Sequence, residues 1–270
     1  MGGAAGDRLR GEGGTLGLAL SGGAVLGFAH VGVLKAFDEA GVHVTHLAGT
    51  SMGALVASLY AFGKTGREIE SLVEGLRWPD VARPAPSFLG FLSTEIVKRL
   101  LRSHLGEVRI EDAHVPLALV ATDISTGEMV VMTEGDLALA ASASACFPGI
   151  FISVEREGRL LVDGGLVENL PLTPLRDWGV DRVVAVDAFL GMTFRRPDRL
   201  LDLIKNAVDI VLVQAARDDA DQVDLLIAPD LHAFSSTELR DAPGVIQEGY
   251  RAAREVLDSL APVPGEGTAS

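Results

Sequence analysis

Cysteine is nearly absent. The 270 residues hold one, Cys146, so no internal disulfide can form and no cysteine cluster can hold zinc. The chain therefore suits a reducing compartment, and a cytoplasmic location is expected. Positive charge is also scarce: 23 Lys and Arg stand against 37 Asp and Glu, for a net charge of −14. A DNA or RNA binder needs a basic face, which this balance does not supply. The same balance disfavours electrostatic docking on anionic lipid, but not apolar contact with a membrane. Long apolar runs are missing too. Met1–Gly14 has no stretch like that of a secretory signal, and Leu16–Leu20 is far too short to span a bilayer. No internal repeat is visible, and no charge block marks a linker.

Hydrophobic residues make up 48% of the chain and the mean hydropathy is +0.30, which excludes a disordered chain. The length suits one large α/β domain or two small ones. A single domain is expected over residues 15–260, with flexible tails at 1–14 and 261–270. Strand-like segments alternate with helical ones. Strands are predicted at Thr15–Leu20, Val44–Ala48, Pro116–Thr122, Glu128–Met132, Arg159–Val162 and Asp181–Val186. Helices are predicted over 27–40, 54–62 and 199–216, the last from apolar residues at helical spacing. Apolar strands between helices imply a largely parallel sheet covered on both faces. Ligands bind such folds at the carboxyl ends of strands, and three glycine-rich junctions fall at strand ends.

Gly49-Thr-Ser-Met-Gly53 is G-x-S-x-G on a strand-to-helix turn, the pattern of a nucleophile elbow. Such a turn strains the serine backbone, and a helix N-terminus favours a developing alkoxide there. The plain alternative is a small-residue turn with a capping hydroxyl. Ser21-Gly-Gly-Ala-Val-Leu-Gly27 has the wrong spacing for a dinucleotide loop, and no Gly-Lys-Ser/Thr makes a Walker loop. Adjacent glycines instead suit an oxyanion hole, where backbone N–H groups converge unobstructed. The alternative is a simple connection. Leu161-Val-Asp-Gly-Gly165 puts an aspartate over a sheet edge; Asp163 is a candidate base for Ser51, or only an Asp-Gly turn.

In this order the three junctions resemble the patatin-like phospholipases. The resemblance extends to Leu20–Leu34, to Ala121–Gly127, to Ala141–Gly149 with its Pro-Gly turn, and to Val162–Pro171 with its Asn-x-Pro tail. It covers roughly residues 15–190. It implies a three-layer α/β/α fold and a Ser–Asp dyad without histidine. Ser51 attacks an acyl carbonyl, Asp163 accepts its proton, and the N–H groups of Gly22, Gly23 and Ala24 stabilise the oxyanion. The implied substrates are carboxyl esters of lipids, with no metal or other cofactor. The chain departs from the family at Ala24, where Gly is common, and at Leu26, where Arg or Lys is common. Backbone donors are expected to survive a Gly-to-Ala change only if φ at position 24 is negative. Loss of the cation at 26 weakens contact with an anionic phosphate.

Two other functions fit the sequence less fully. One is a Ser–His–Asp esterase, since Ser51, Asp187 and His232 follow the chain order of an α/β-hydrolase triad; it leaves the two glycine motifs unexplained. The other is an inactive lipid-binding or regulatory protein that kept the fold. His30 reads as structural and Cys146 as buried packing. Asn169 either orients the aspartate loop or caps a turn before Pro171. Arg195, Arg196 and Arg199 read as a solvated basic helix start, with phosphate contact as the alternative. Trp78–Leu92 is expected to be a loop whose Phe88, Leu89, Phe91 and Leu92 contact substrate or a membrane transiently; the plain alternative is a loop pinned into the core.

Overall fold

A computed structural model describes residues 14–77, 83–87, 90–190, 196–219 and 223–260. The elements follow in this order: β1 (Leu16–Leu20), a 3-10 turn (Ala24–Phe28), α1 (Ala29–Ala40), β2 (His46–Thr50), α2 (Met52–Ala61) and α3 (Gly66–Glu74). Next come β3 (Arg83–Ser87), β4 (Gly90–Ser93), α4 (Glu95–Leu105), β5 (Leu117–Asp123), β6 (Met129–Met132) and α5 (Leu137–Ser144). The chain continues through β7 (Val154–Arg156), β8 (Arg159–Asp163), α6 (Thr173–Asp177), β9 (Arg182–Val186), α7 (Leu200–Asp219), β10 (Leu225–Ile227) and α8 (Ala242–Ser259). Except for Gly14, the two predicted tails lie outside the described residues.

The main sheet runs β10-β9-β1-β2-β5-β8-β7, with β6 also on β5. Strands β10, β9, β1, β2 and β5 are mutually parallel. Strands β6 and β8 are antiparallel to β5, and β7 to β8. The sheet is thus less uniformly parallel than alternation alone suggests, because short turns such as Glu157–Gly158 return a strand directly on its neighbour.

The registers on β5 decide where the site forms. Gly49 and Thr50 pair with Leu119 and Val120, which pair with β6 across the opposite edge. Asp163 pairs with Ala121, and Ala121 also pairs with β6. Strands β2 and β8 therefore share one edge of β5 and meet end to end, from opposite directions.

Side chains alternate across the sheet. Leu18, Leu20, Leu47, Leu119, Val184 and Val186 enter the large core on one face, with α1, α2 and α8. The other face is lined by Ala19, Ala48, Ala118 and Ala185, small enough for Leu170, Leu172 and Leu175 to lie close over it. Helices cover both faces. The expected loop at 78–92 contains a two-stranded antiparallel ribbon, β3 with β4. Trp78, Pro79, Phe88 and Leu89 lie outside the described residues. Among the described residues no helix is long and apolar enough to cross a membrane.

Helix α1 is buried almost all round and packs backbone to backbone on α8. A Cβ on Gly249 would lie 2.0 Å from the Ala29 carbonyl oxygen, and one on Gly32 would lie 1.9 Å from that of Ile246. Gly249→Ala must separate the helices, an overpacking cost of about 3 kcal/mol. Thermal unfolding should show Tm lowered by about 6–12 °C; an unchanged Tm would contradict this packing.

Candidate active site

The elbow forms where β2 runs into α2 without a loop. Ser51 has φ +55 and ψ −121, a left-handed backbone that a serine holds only under strain. A Cβ on Gly53 would lie 2.2 Å from the Leu20 carbonyl oxygen, so glycine is required there for the turn to close on β1. The Ser51 N–H donates to Ser144 Oγ at 3.0 Å, and Ser144 Oγ donates to the Val120 carbonyl at 2.6 Å. Ser144 lies in the 141–149 segment, but no sequence pattern singles it out.

The Ser51 side chain donates from Oγ to Asp163 Oδ2 at 2.6 Å. Asp163 Oδ1 accepts from Gly165 N at 2.9 Å, and the Asp163 backbone is pinned by Cys146 O and Thr122 Oγ1. The carboxyl is 3% exposed. Burial pushes its pKa up to about 6, against the hydrogen bonds from Ser51 and Gly165; the buried Asp209 carboxylate adds to the rise. Asp209 sits on α7, paired with Lys205. The same helix lies over the aspartate turn, with Leu212 2.7 Å from the place of a Cβ on Gly165.

The glycine turn lies against this pair. A Cβ on Gly22 would stand 3.3 Å from Ser51 Cβ. The Gly22 N–H is committed to the Asn169 carbonyl at 3.2 Å, so it is not available as an oxyanion donor. The N–H groups of Gly23 and Ala24 have no acceptor among the described residues. Ala24 has φ +47. The condition of a negative φ is not met, but that expectation was too strict: the Ala24 N–H is kept, and the alanine carries strain of about 1–2 kcal/mol instead. His30 is buried and bonds through Nε2 to the Ser21 carbonyl at 2.7 Å, which props the turn. Burial pulls its pKa down to about 4, so the ring is neutral and donates.

Other candidates fall away from the pair or lie at its margin. His232 is exposed and bonds Asp230 at 2.7 Å. The Asp187 carboxyl accepts from Phe189 N and Leu190 N instead, so the Ser–His–Asp order is not assembled. Cys146 is buried, and burial with nearby Asp163 pushes its thiol up to about 12, which leaves it unreactive. Phe91 is 62% exposed and Leu92 partly buried. Their ribbon is tied to Ile150 and Ile152, on the segment leading to β7 and β8. Arg196 borders a cavity of about 330 Å³ beside Leu26 and Ala188. Arg195 lies outside the described residues. Among the described residues no cluster of His, Cys, Asp and Glu could hold a metal ion.

A carboxyl raised from 3.8 to about 6 opposes folding once it ionises. Its neutral form is fully compatible with the fold below about pH 3.8, and stability is lost as pH rises toward 6. The gap corresponds to about 3 kcal/mol. Asp163→Asn should therefore unfold at a higher Tm than wild type at pH 7–8, with the gain vanishing near pH 4. Equal Tm values at both pH values would contradict the buried carboxylate.

Two relatives each align with a little under two thirds of the chain. An uncharacterized NTE family protein of Mycobacterium tuberculosis is 36% identical over 172 residues, covering 63% of this chain and 48% of its own length. The human patatin-like phospholipase domain-containing protein 6 is 34% identical over 187 residues, covering 65% of this chain and 13% of its own. This chain thus spans about half the length of the first of these relatives and far less of the second. In structure it is similar to VipD from Legionella pneumophila, with a TM-score of 0.54 at 15% identity over 93% of this chain and 67% of that one. The type III effector ExoU gives 0.52 at 14% identity over 92% and 53%. Both share the fold. The patatin-like phospholipase family matches residues 18–176, more than half of the chain, and this chain belongs to that family.

Proposed function

We propose that the chain hydrolyses carboxyl esters of lipids through an acyl-enzyme on Ser51, with Asp163 as the base. The observation that carries this reading is the direct 2.6 Å hydrogen bond from Ser51 Oγ to Asp163 Oδ2, with no imidazole between. As Oγ attacks the acyl carbon, its proton passes to Asp163. The oxyanion that forms is held by Gly23 and Ala24 N–H, each worth about 3–4 kcal/mol in such a role. The alcohol departs with the proton from Asp163, and water then repeats the sequence on the acyl-enzyme. The raised proton affinity of Asp163 suits it to this work near neutral pH better than an ordinary aspartate. No step uses a metal.

Lipid esters are favoured over other esters by family membership and by exposed apolar side chains. Phe91, Leu203, Ile210 and Val211 all expose apolar side chains, consistent with transient contact with a lipid surface. The cavity beside Leu26 and Ala188 carries Arg196 and Lys205 alongside Asp202 and Glu238, and Lys205 is paired with Asp209.

Intact-mass labelling with a serine-directed fluorophosphonate tests the reading. Wild type should gain one adduct on Ser51, and His232→Ala should still form it. Asp163→Asn should react slower by about 10²–10⁴-fold. Loss of the adduct in His232→Ala with retention in Asp163→Asn would replace the dyad with a triad. No adduct on wild type would favour the binding-protein alternative.

A further inference from the structure

The backbone N–H groups of residues 21–26 are committed at all but two positions. Ser21 N donates to Val186 O, Gly22 N to Asn169 O, Val25 N to Ser236 O and Leu26 N to Gly23 O. Gly23 and Ala24 are left as consecutive free donors among the described residues. Two such donors serve an oxyanion only if the peptides before them hold still, since a displacement of about 1 Å can cost about 10²-fold in rate. Glycines at 22 and 23 supply no stiffness of their own.

The stiffness enters at the peptide that joins Ser21 to Gly22. Its carbonyl and its N–H lie in one plane, and both ends are held. Gly22 N reaches Asn169 O at 3.2 Å, and the Ser21 carbonyl accepts from His30 Nε2 at 2.7 Å. The same carbonyl oxygen lies 2.5 Å from where a Cβ on Gly53 would sit. It therefore rests against the first turn of α2, two residues beyond Ser51. The Ser21 carbonyl is a point where the glycine turn and the elbow touch, and a side chain from α1 fixes it.

His30 is fully buried, and its Nδ1 has no partner among the described residues. A carbonyl oxygen can only accept, so the ring carries its proton on Nε2. Its neighbours Ala29, Val31, Val33 and Leu34 all join the apolar core, where a leucine would avoid burying an unpaired nitrogen. Packing alone therefore does not account for a histidine at this place. We propose that His30 is a positioning residue for the oxyanion donors: by holding the Ser21 carbonyl against Gly53, it sets where the Gly23 and Ala24 N–H groups stand relative to Ser51. The proposal rests on the Ser51–Asp163 reading. The ring takes no proton and touches no reacting atom; it acts through the Ser21–Gly22 peptide.

Wild type, His30→Leu and His30→Gln are compared on p-nitrophenyl butyrate. Active sites are counted by fluorophosphonate labelling, so that unfolded protein is not scored. Leucine keeps the bulk and removes the donor, whereas glutamine offers an amide N–H near the place of Nε2. In His30→Leu, kcat per labelled site should fall by about 10²-fold, with KM changed by less than about twofold. His30→Gln should recover to within about tenfold of wild type, since it restores the one hydrogen bond. A trifluoromethyl ketone, which Ser51 would convert to a bound tetrahedral oxyanion, should bind His30→Leu more weakly by about the same 10²-fold factor. A smaller folded fraction would produce neither effect. His30→Asn, whose amide is too short to reach the Ser21 oxygen, covers the case in which the leucine variant does not fold and should behave like it. Unchanged kcat per site in a variant that lacks the donor overturns the proposal, and so does a loss in His30→Gln as large as in His30→Leu. Failure of wild type to release p-nitrophenol would overturn the acyl-transfer reading and this proposal with it.

Discussion

Two strands that run at each other along one edge of β5 organise the site. Strand β2 ends with Thr50 opposite Val120, and β8 ends with Asp163 opposite Ala121. Neither can continue without colliding with the other, so both must leave the sheet at once. One departure becomes the strained turn at Ser51; the other becomes the turn at Gly164, where a Cβ would lie 2.2 Å from the Val120 carbonyl. The interrupted edge leaves Ser51 N–H and Val120 C=O to be satisfied outside the ladder. The Ser144 hydroxyl serves both, accepting from one and donating to the other. The 2.6 Å contact between Ser51 and Asp163 is thus a consequence of strand register, not of two mobile side chains finding each other.

This arrangement is costly. A buried carboxyl, a serine and an alanine at positive φ, and an unpaired amide all occur within one small region. Strain and desolvation of this kind persist only where surrounding packing over-determines the conformation. The packing is supplied by α1, closed between the sheet and α8, whose neutral His30 reaches from the core to hold the Ser21 carbonyl. The alanine-lined opposite face lets the 168–175 segment lie close to the sheet and carry Asn169 to the glycine turn.

Much of this was legible in the sequence. Apolar periodicity locates β1, β2, β5, β6, β8 and β9 to within two residues at their ends, and the three glycine junctions mark the groups that meet. What the sequence leaves out depends on distant partners or on very short elements. Strands β7 and β10 have three residues each, too few to show a period. The β3–β4 ribbon contains Pro84 and Pro86, which argue locally for a loop. The Gly22 N–H is lost as a donor to a carbonyl 147 positions away, and the positive φ of Ala24 follows from the turn that closes around it. Ser144 acquires its role only because another strand stops beside it. The raised proton affinity of Asp163 comes from burial and Asp209, neither of which the Asp-Gly-Gly pattern encodes.

In the proposed mechanism, burial makes Asp163 a base strong enough to take the Ser51 proton without a histidine. The most direct measurement is the pH dependence of kcat/KM on a p-nitrophenyl ester, which reports the ionisations of the free enzyme. An acid limb governed by a single group near pH 6 is expected, abolished with activity in Asp163→Asn and unmoved in His232→Ala. A limb near pH 4, or one that disappears in His232→Ala, would contradict it.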